Sequence, residues 1–194
     1  MNKEAIRKKY ISLRKEFSKE EVQAMSSKIF ETFVENFSVS KGQNVHVFLS
    51  IEKFKEVNTQ YFIDYFKEKG AKIFVPKMTK GKLIAVELGE EKSLVENSFG
   101  ILEPISTVNE CSHFDLIITP LLYVDADGNR VGYGKGYYDS FFSSINENAL
   151  KIGVGFFAPN EIIEDVSETD VPLDHLLTPE SILSFNGLEK KSRK

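Results

Sequence analysis

One β-α-β pattern constrains the fold more than any other feature of this chain. Val45-His46-Val47-Phe48-Leu49 is a short apolar, β-branched run, residues 58–69 carry helical periodicity closed by Gly70, and Lys72-Ile73-Phe74-Val75-Pro76 is a second strand. Two such strands joined by one helix pair in parallel through a right-handed crossover, and parallel sheets need helices over both faces. Asp115-Leu116-Ile117-Ile118-Thr119-Pro120-Leu121-Leu122 reads as another buried strand, as do residues 82–88 and Lys151-Ile152-Gly153-Val154-Gly155-Phe156. The expected fold is therefore α/β, a single-domain three-layer sandwich with a mostly parallel, Rossmann-like sheet flanked by helices. The domain is expected over residues 1–186, followed by a charged tail over 187–194.

Two helices should precede the sheet. Ile6, Tyr10, Leu13 and Phe17 form an apolar stripe that leaves Lys3, Arg7, Lys8, Lys9 and Arg14 to other faces. Ser18-Lys19-Glu20-Glu21 has capping-box spacing, so a second helix should run from there through Val22, Met25, Ile29, Phe33 and Phe37. Asn160-Glu161-Ile162-Ile163 is expected to start a short helix.

The chemistry concentrates in Gly128-Asn129-Arg130-Val131-Gly132-Tyr133-Gly134-Lys135-Gly136-Tyr137-Tyr138-Asp139. Tyr137, Tyr138, Phe141, Phe142 and Ile145 recur at helical spacing, so the glycines lie between a strand and a helix. The first amides of a helix lack internal partners and carry the positive end of its dipole, which suits an anion. Arg130 and Lys135 add full charge, the arginine as a fork and the lysine as a mobile point charge. Asp139 would repel a bare phosphate unless a divalent cation such as Mg²⁺ lay between them. The set points to a metal-bound triphosphate, although alternating glycines also suit an irregular strand or a tight turn. The spacing matches neither the Walker nor the dinucleotide motif.

Composition closes off other classes. The 194 residues are 41% hydrophobic and 28% charged with a net charge of −4, which gives no reason to expect nucleic acid or an anionic membrane as partner. No apolar run approaches a membrane span, and the N-terminus lacks the apolar core of a signal peptide. A single cysteine, Cys111, excludes an internal disulfide, and His46, His113 and His175 have no partner at zinc-ligand spacing. A cytoplasmic enzyme is expected, and a monomer.

The glycine-rich stretch, preceded by Asp125-x-x-Gly128, resembles the signature of the 5-formyltetrahydrofolate cyclo-ligases, also called methenyltetrahydrofolate synthetases. Ser98-Phe99-Gly100-Ile101-Leu102-Glu103-Pro104, Glu56-Val57-Asn58-Thr59 and Asp170-Val171-Pro172-Leu173-Asp174 resemble three further segments of that family, in its order, so the likeness spans nearly the whole chain. It implies ATP as co-substrate, contacted by Lys3, Arg7, Arg130, Gly132, Tyr133, Gly134, Lys135, Gly136, Tyr137 and Tyr138. Lys135 and Arg130 are then the catalytic cations, with Lys135 on the γ-phosphate. Asp139 and Asp170 become the Mg²⁺ ligands, with Asp174 behind them. Leu49, Ser50, Phe54 and Glu56 become part of a folate pocket; read from the residues alone, Phe54 is equally a core residue and Glu56 an early helix residue.

The resemblance implies an ATP- and Mg²⁺-dependent closure of 5-formyltetrahydrofolate to 5,10-methenyltetrahydrofolate with release of ADP and phosphate. Two other readings stay open from the residues: a phosphosugar isomerase-like enzyme on a similar sheet, and a non-enzymatic nucleotide-binding regulatory module.

Overall fold

A computed structural model describes residues 1–89, 94–96, 102–105 and 109–185. Residues 98–101 of the Ser98–Pro104 segment, most of the 89–97 connection and the 187–194 tail lie outside them. Among these described residues the α-helices are α1 (Lys3–Glu16), α2 (Lys19–Asn36), α3 (Gln60–Glu68) and α4 (Tyr137–Phe142). The strands are β1 (Asn44–Val47), β2 (Lys72–Thr79), β3 (Lys82–Glu87), β4 (Leu94–Glu96), β5 (Leu102–Pro104), β6 (Glu110–Cys111), β7 (Leu116–Pro120), β8 (Tyr123–Val124), β9 (Arg130–Val131), β10 (Leu150–Val154), β11 (His175–Leu177) and β12 (Ile182–Ser184).

One sheet takes eight of these strands in the order β12-β11-β10-β7-β1-β2-β3-β6. From β11 to β2 every pairing is parallel, and the antiparallel pairings, β11 with β12, β2 with β3 and β3 with β6, fall at the margins. The expected β-α-β unit is present as β1-α3-β2, with Val45 opposite Ile73. From β1 the chain moves outward through β2, β3 and β6, then returns to β7 on the other side of β1 and continues to β10 and β11. Chain direction across the sheet thus reverses between β1 and β7, the place where open α/β sheets hold ligands beyond the strand ends.

Alternation along the strands separates two cores. Val45, Val47, Ile73, Val75, Leu116, Ile118, Ile152 and Val154 face α2 and α3, where Phe33, Phe62 and Phe66 are fully buried. Phe74, Ile117 and Leu176 face the opposite way, toward Phe114, Phe141 and Phe142. Truncating one of the buried rings to alanine costs about 3–5 kcal/mol. A third cluster packs Ile6 and Tyr10 of α1 on Leu122, Tyr123, Val131 and Ile163. That contact lays α1 over the β8–β9 hairpin.

Local chemistry sets the element ends. The Ser18 box forms as expected, with Ser18 Oγ accepting from Glu21 N and Glu21 accepting from Ser18 N. β1 stops two residues short of Leu49 because the Phe48 carbonyl takes the Thr59 hydroxyl at 2.7 Å instead of continuing the ladder. β2 runs past Pro76 to Thr79 because it turns back on β3 through Lys80 and Gly81, both at positive φ, a type I′ arrangement. α4 ends at Phe142, before Ile145, where the Ser143 and Ser144 hydroxyls bond back to the carbonyls of Asp139 and Phe141. Residues 160–163 form no helix: the Tyr123 hydroxyl accepts from the Glu161 amide and donates to its carbonyl, taking the groups a helix would need.

His46 is fully buried on the α4 side of β1, against Phe114, Phe141 and Tyr138, and neither ring nitrogen has a hydrogen-bond partner among the described residues. Burial lowers its pKa from 6.5 to about 3. Below its ordinary pKa the unfolded chain therefore binds a proton that the folded chain refuses until much lower pH. Stability contributed by neutral His46 is complete well above pH 6.5 and is lost on acidification through that window. The urea midpoint should fall correspondingly between neutral pH and pH 4, and His46→Leu should flatten that part of the profile.

Candidate active site

The site is assembled from the segments that leave the carboxyl ends of β1 and β7, with α1 laid across them. After β7 the chain forms the β8–β9 hairpin, closed by buried Asp125, whose carboxylate accepts from the amides of Asp127 and Asn129. This explains the Asp125-x-x-Gly128 pattern: a short acid at the first position satisfies the turn's own amides. The strand directly before the glycines is thus β9, and β7 lies one hairpin further back.

The predicted cations and carboxylates meet here, already paired. Arg130 on β9 donates from Nη2 to Asp139 Oδ1 at 2.8 Å and from Nη1 to the Val171 carbonyl at 2.7 Å, and the Val171 amide donates to the same Asp139 oxygen. The guanidinium also lies 4.7 Å from the centre of the Phe142 ring. Burial pulls its pKa below the ordinary arginine value, opposed by Asp139. One residue before Val171, Asp170 forms an ion pair with Lys3 and accepts from the Ser167 amide. Lys3, Arg130, Asp139 and Asp170 therefore form one continuous charged strip.

Arg7, one turn beyond Lys3, lies on the glycine turn: its Nε donates to the Gly132 carbonyl at 2.9 Å. Gly134 is at φ +87°, and a Cβ built there would meet Arg7 Cζ at 2.9 Å. A Cβ on Gly132 or Gly136 would meet nothing within 4 Å, so the turn's outer surface is open. Lys135 and Tyr137 are exposed, and Lys135 makes no ion pair or hydrogen bond among the described residues. Tyr138 points inward, packed on His46 and Phe142, with its hydroxyl buried and without a partner among the described residues.

On the β1 side, Glu56 is buried and holds the loop before it: Oε2 accepts from the Ile51 amide at 2.8 Å and Oε1 from the Tyr133 hydroxyl at 2.9 Å. Burial raises its pKa, opposed by the Ile51 amide, Tyr133 and Arg14. Ser50 and Glu56 line a cavity of about 460 Å³ together with Lys19, Gln23, Lys55 and Asn58. Leu49 lines a separate crevice of about 50 Å³ beside Ile63 and Leu88. Phe54 is 40% exposed and packs its ring 5.5 Å from that of Tyr133. Of the four expected pocket residues, two share the cavity, one borders the glycine turn and one lies elsewhere. Tyr133, expected among the ATP contacts, sends its hydroxyl to Glu56.

Other expectations are redistributed. Asp174 accepts from the Lys151 amide at 2.7 Å and so ties β10 to the segment leading into β11. Elsewhere in the sheet, Lys77 within β2 sets its amine on the carbonyls of Pro104 and Ile105, and Glu103 accepts from the Met78 amide. Arg14, expected on a solvent face, is 3% exposed and donates to the Leu121 carbonyl at 2.6 Å and to the Tyr133 hydroxyl at 3.3 Å. The signal for it was present: Ile6, Tyr10 and Arg14 are spaced by four, so the inward stripe of α1 runs through the arginine.

An α/β sheet with a cation-lined glycine turn facing a buried carboxylate, at the reversal point of its strand order, is the arrangement of an enzyme that holds a small molecule at that crevice. The chain belongs to the 5-formyltetrahydrofolate cyclo-ligase family, whose model matches residues 1–179. It is 30% identical over 187 residues to a Caenorhabditis elegans protein named "probable 5-formyltetrahydrofolate cyclo-ligase", covering 88% of this chain and 89% of that one. It is 28% identical over 177 residues to the 5-formyltetrahydrofolate cyclo-ligase of Escherichia coli, covering 87% and 96%. The fold is similar to the solved structure of Aquifex aeolicus 5,10-methenyltetrahydrofolate synthetase, with a TM-score of 0.81 at 24% identity over 100% of this chain and 97% of that one. Among the described residues no helix is long and apolar enough to cross a membrane.

The two glycines flanking Tyr133 should respond oppositely to a methyl group. Gly134→Ala combines a left-handed backbone with a collision against Arg7 and should cost about 1–2 kcal/mol. Gly132→Ala meets neither obstacle and should stay within about 0.5 kcal/mol of the parent. Urea denaturation of the two variants, side by side, checks the difference.

Proposed function

We propose that this protein closes 5-formyltetrahydrofolate to 5,10-methenyltetrahydrofolate at the expense of ATP, with Mg²⁺ bound to the nucleotide. The observation that carries the reading is that Lys3 and Arg7 from α1 converge with largely buried Arg130 at the 132–136 turn, whose outer glycine surface is open, across from buried Glu56. Family membership supplies the reaction; that convergence supplies a place for its most highly charged reactant.

The donor set fits a magnesium triphosphate. The turn presents open glycine backbone and the first amides of a helix, with four arginine or lysine heads, Lys3, Arg7, Arg130 and Lys135, around it. Among the described residues no group of three or more His, Cys, Asp or Glu is placed to cage a metal. That suits Mg²⁺, which is held through one or two carboxylates plus phosphate oxygens and water. Asp139 and Asp170 are the residues that would hold it, exchanging their present partners Arg130 and Lys3 as these turn to phosphate. Bound there, the ion neutralises charge on the phosphate chain.

A formamide oxygen is a poor leaving group, so the formyl oxygen first attacks the γ-phosphorus and the bond to ADP breaks. N10 then adds to the activated carbon and loses its proton, and the oxygen departs as phosphate. What the chain must contribute is in-line placement and neutralisation of developing negative charge, not a covalent nucleophile. Arg7 and Arg130 hold the phosphates, while exposed Lys135, with no ion pair among the described residues, follows the γ-phosphate through the transfer. On the opposite wall, Ser50 and Glu56 border a cavity of ordinary ligand size. Glu56 offers a carboxylate to a ring N–H, and Phe54, packed on Tyr133, offers a flat apolar surface to the folate.

The test is the rise of methenyl-folate absorbance with 5-formyltetrahydrofolate in the presence and absence of Mg-ATP. Turnover is expected only with Mg-ATP. Absence of turnover in a protein that binds ATP would favour a regulatory module, and ATP-independent action on a sugar phosphate would favour an isomerase. Lys135→Ala should lower kcat by about 10²–10³-fold with an unchanged thermal midpoint; a variant that unfolds would make the lysine structural.

A further inference from the structure

Arg14 is a charged group with no part in the proposed reaction. It is buried on a helix whose neighbouring cations, Lys8, Lys9 and Lys15, lie outside, and among the described residues no carboxylate pairs with it directly. Its contacts are the Leu121 carbonyl just beyond β7, the Phe156 ring at 5.8 Å and the hydroxyl of Tyr133. Nε of the same guanidinium has no hydrogen-bond partner among the described residues. Burying a cation away from its counter-charge is unfavourable for stability, so such a placement calls for another explanation.

The Tyr133 hydroxyl stands between Arg14 and Glu56, accepting from Arg14 Nη1 and donating to Glu56 Oε1. A phenol that accepts from a cation becomes a stronger donor to the carboxylate beyond it. Tyr133 is also the middle residue of Gly132-Tyr133-Gly134, and Arg7 holds the Gly132 carbonyl. Arg7 and Arg14 are seven residues apart, two turns along one face of α1, so one rigid helix grips the glycine turn at its backbone and at its side chain. The far end of the chain of bonds, Glu56, fixes the Ile51 amide and with it the loop after β1.

We infer that Arg14 is a positioning residue which, through the Tyr133 hydroxyl, makes nucleotide binding at the glycine turn and folate binding at Glu56 interdependent. Phosphates that draw the turn toward Arg7 set the Tyr133 hydroxyl against Glu56, and that orients the carboxylate and the 51–56 loop for the second substrate. This coupling rests on the proposed substrates.

Calorimetric titrations of the full-length protein with 5-formyltetrahydrofolate, alone and saturated with Mg²⁺ and the β,γ-imido analogue of ATP, give the coupling factor directly. The wild-type protein is expected to bind the folate at least about fivefold more tightly when the analogue is present, with the same factor in the reverse order of addition. Arg14→Met should bring that factor close to one. Tyr133→Phe keeps the ring and removes only the hydroxyl, and should do the same; it decides the matter if Arg14→Met does not fold. The double variant should lose no more coupling than either alone. Wild-type coupling retained in both single variants overturns the inference, as does wild-type protein that binds the two ligands independently. Weaker binding of both ligands with an unchanged coupling factor also overturns it, leaving Arg14 a purely structural part. Wild-type protein that binds neither ligand overturns the functional reading itself.

Discussion

Parallel pairing of β1 with β7 brings together segments that are far apart in the chain, Val45 opposite Leu116 and Val47 opposite Ile118. Both strands are covered on each face, by Phe62 and Phe66 of α3 and by Phe141 of α4, so their hydrogen bonds are shielded from water. Their carboxyl ends emerge side by side where the strand order reverses. From one end comes the loop anchored by Glu56, and from the other the β8–β9 hairpin and the glycine turn. Every contact in the candidate site presupposes that adjacency.

α1 then turns a sheet edge into a site. Its inward stripe of Ile6 and Tyr10 docks on Leu122, Tyr123 and Val131, which is hydrophobic and non-directional. That docking carries Lys3 to Asp170, Arg7 to Gly132 and Arg14 to Tyr133, which is directional and specific. The charged strip of Lys3, Asp170, Arg130 and Asp139 is balanced internally. A polyanion with its own cation can enter such a strip by exchanging partners, without leaving a buried charge exposed to an apolar wall.

Much of this was legible from residues alone where the signal is local. The β-α-β unit, the Ser18 capping box, the apolar faces of the first helices and the glycine-rich turn all follow from periodicities and side-chain chemistry within about ten residues, and all are present. Element ends were less legible. Phe48 gives its carbonyl to Thr59, and Glu161 gives its backbone to Tyr123, choices made by residues 11 and 38 positions away. For Arg14 the four-residue spacing from Ile6 and Tyr10 gave its inward position, but not its partners Leu121 and Tyr133, which lie more than a hundred residues away.

By itself, then, the amino-acid sequence determined the class of fold, the family and the inventory of charged and glycine residues, since these are written in local patterns and spacing. The tertiary structure alone decided who meets whom. It brought the Tyr133 hydroxyl to Glu56, tied Asp174 to the Lys151 amide, separated Leu49 from Ser50 and buried Arg14. The physical reason is that hydrogen bonds and ion pairs act over about 3 Å, and residues a hundred positions apart reach that distance only after the sheet has closed.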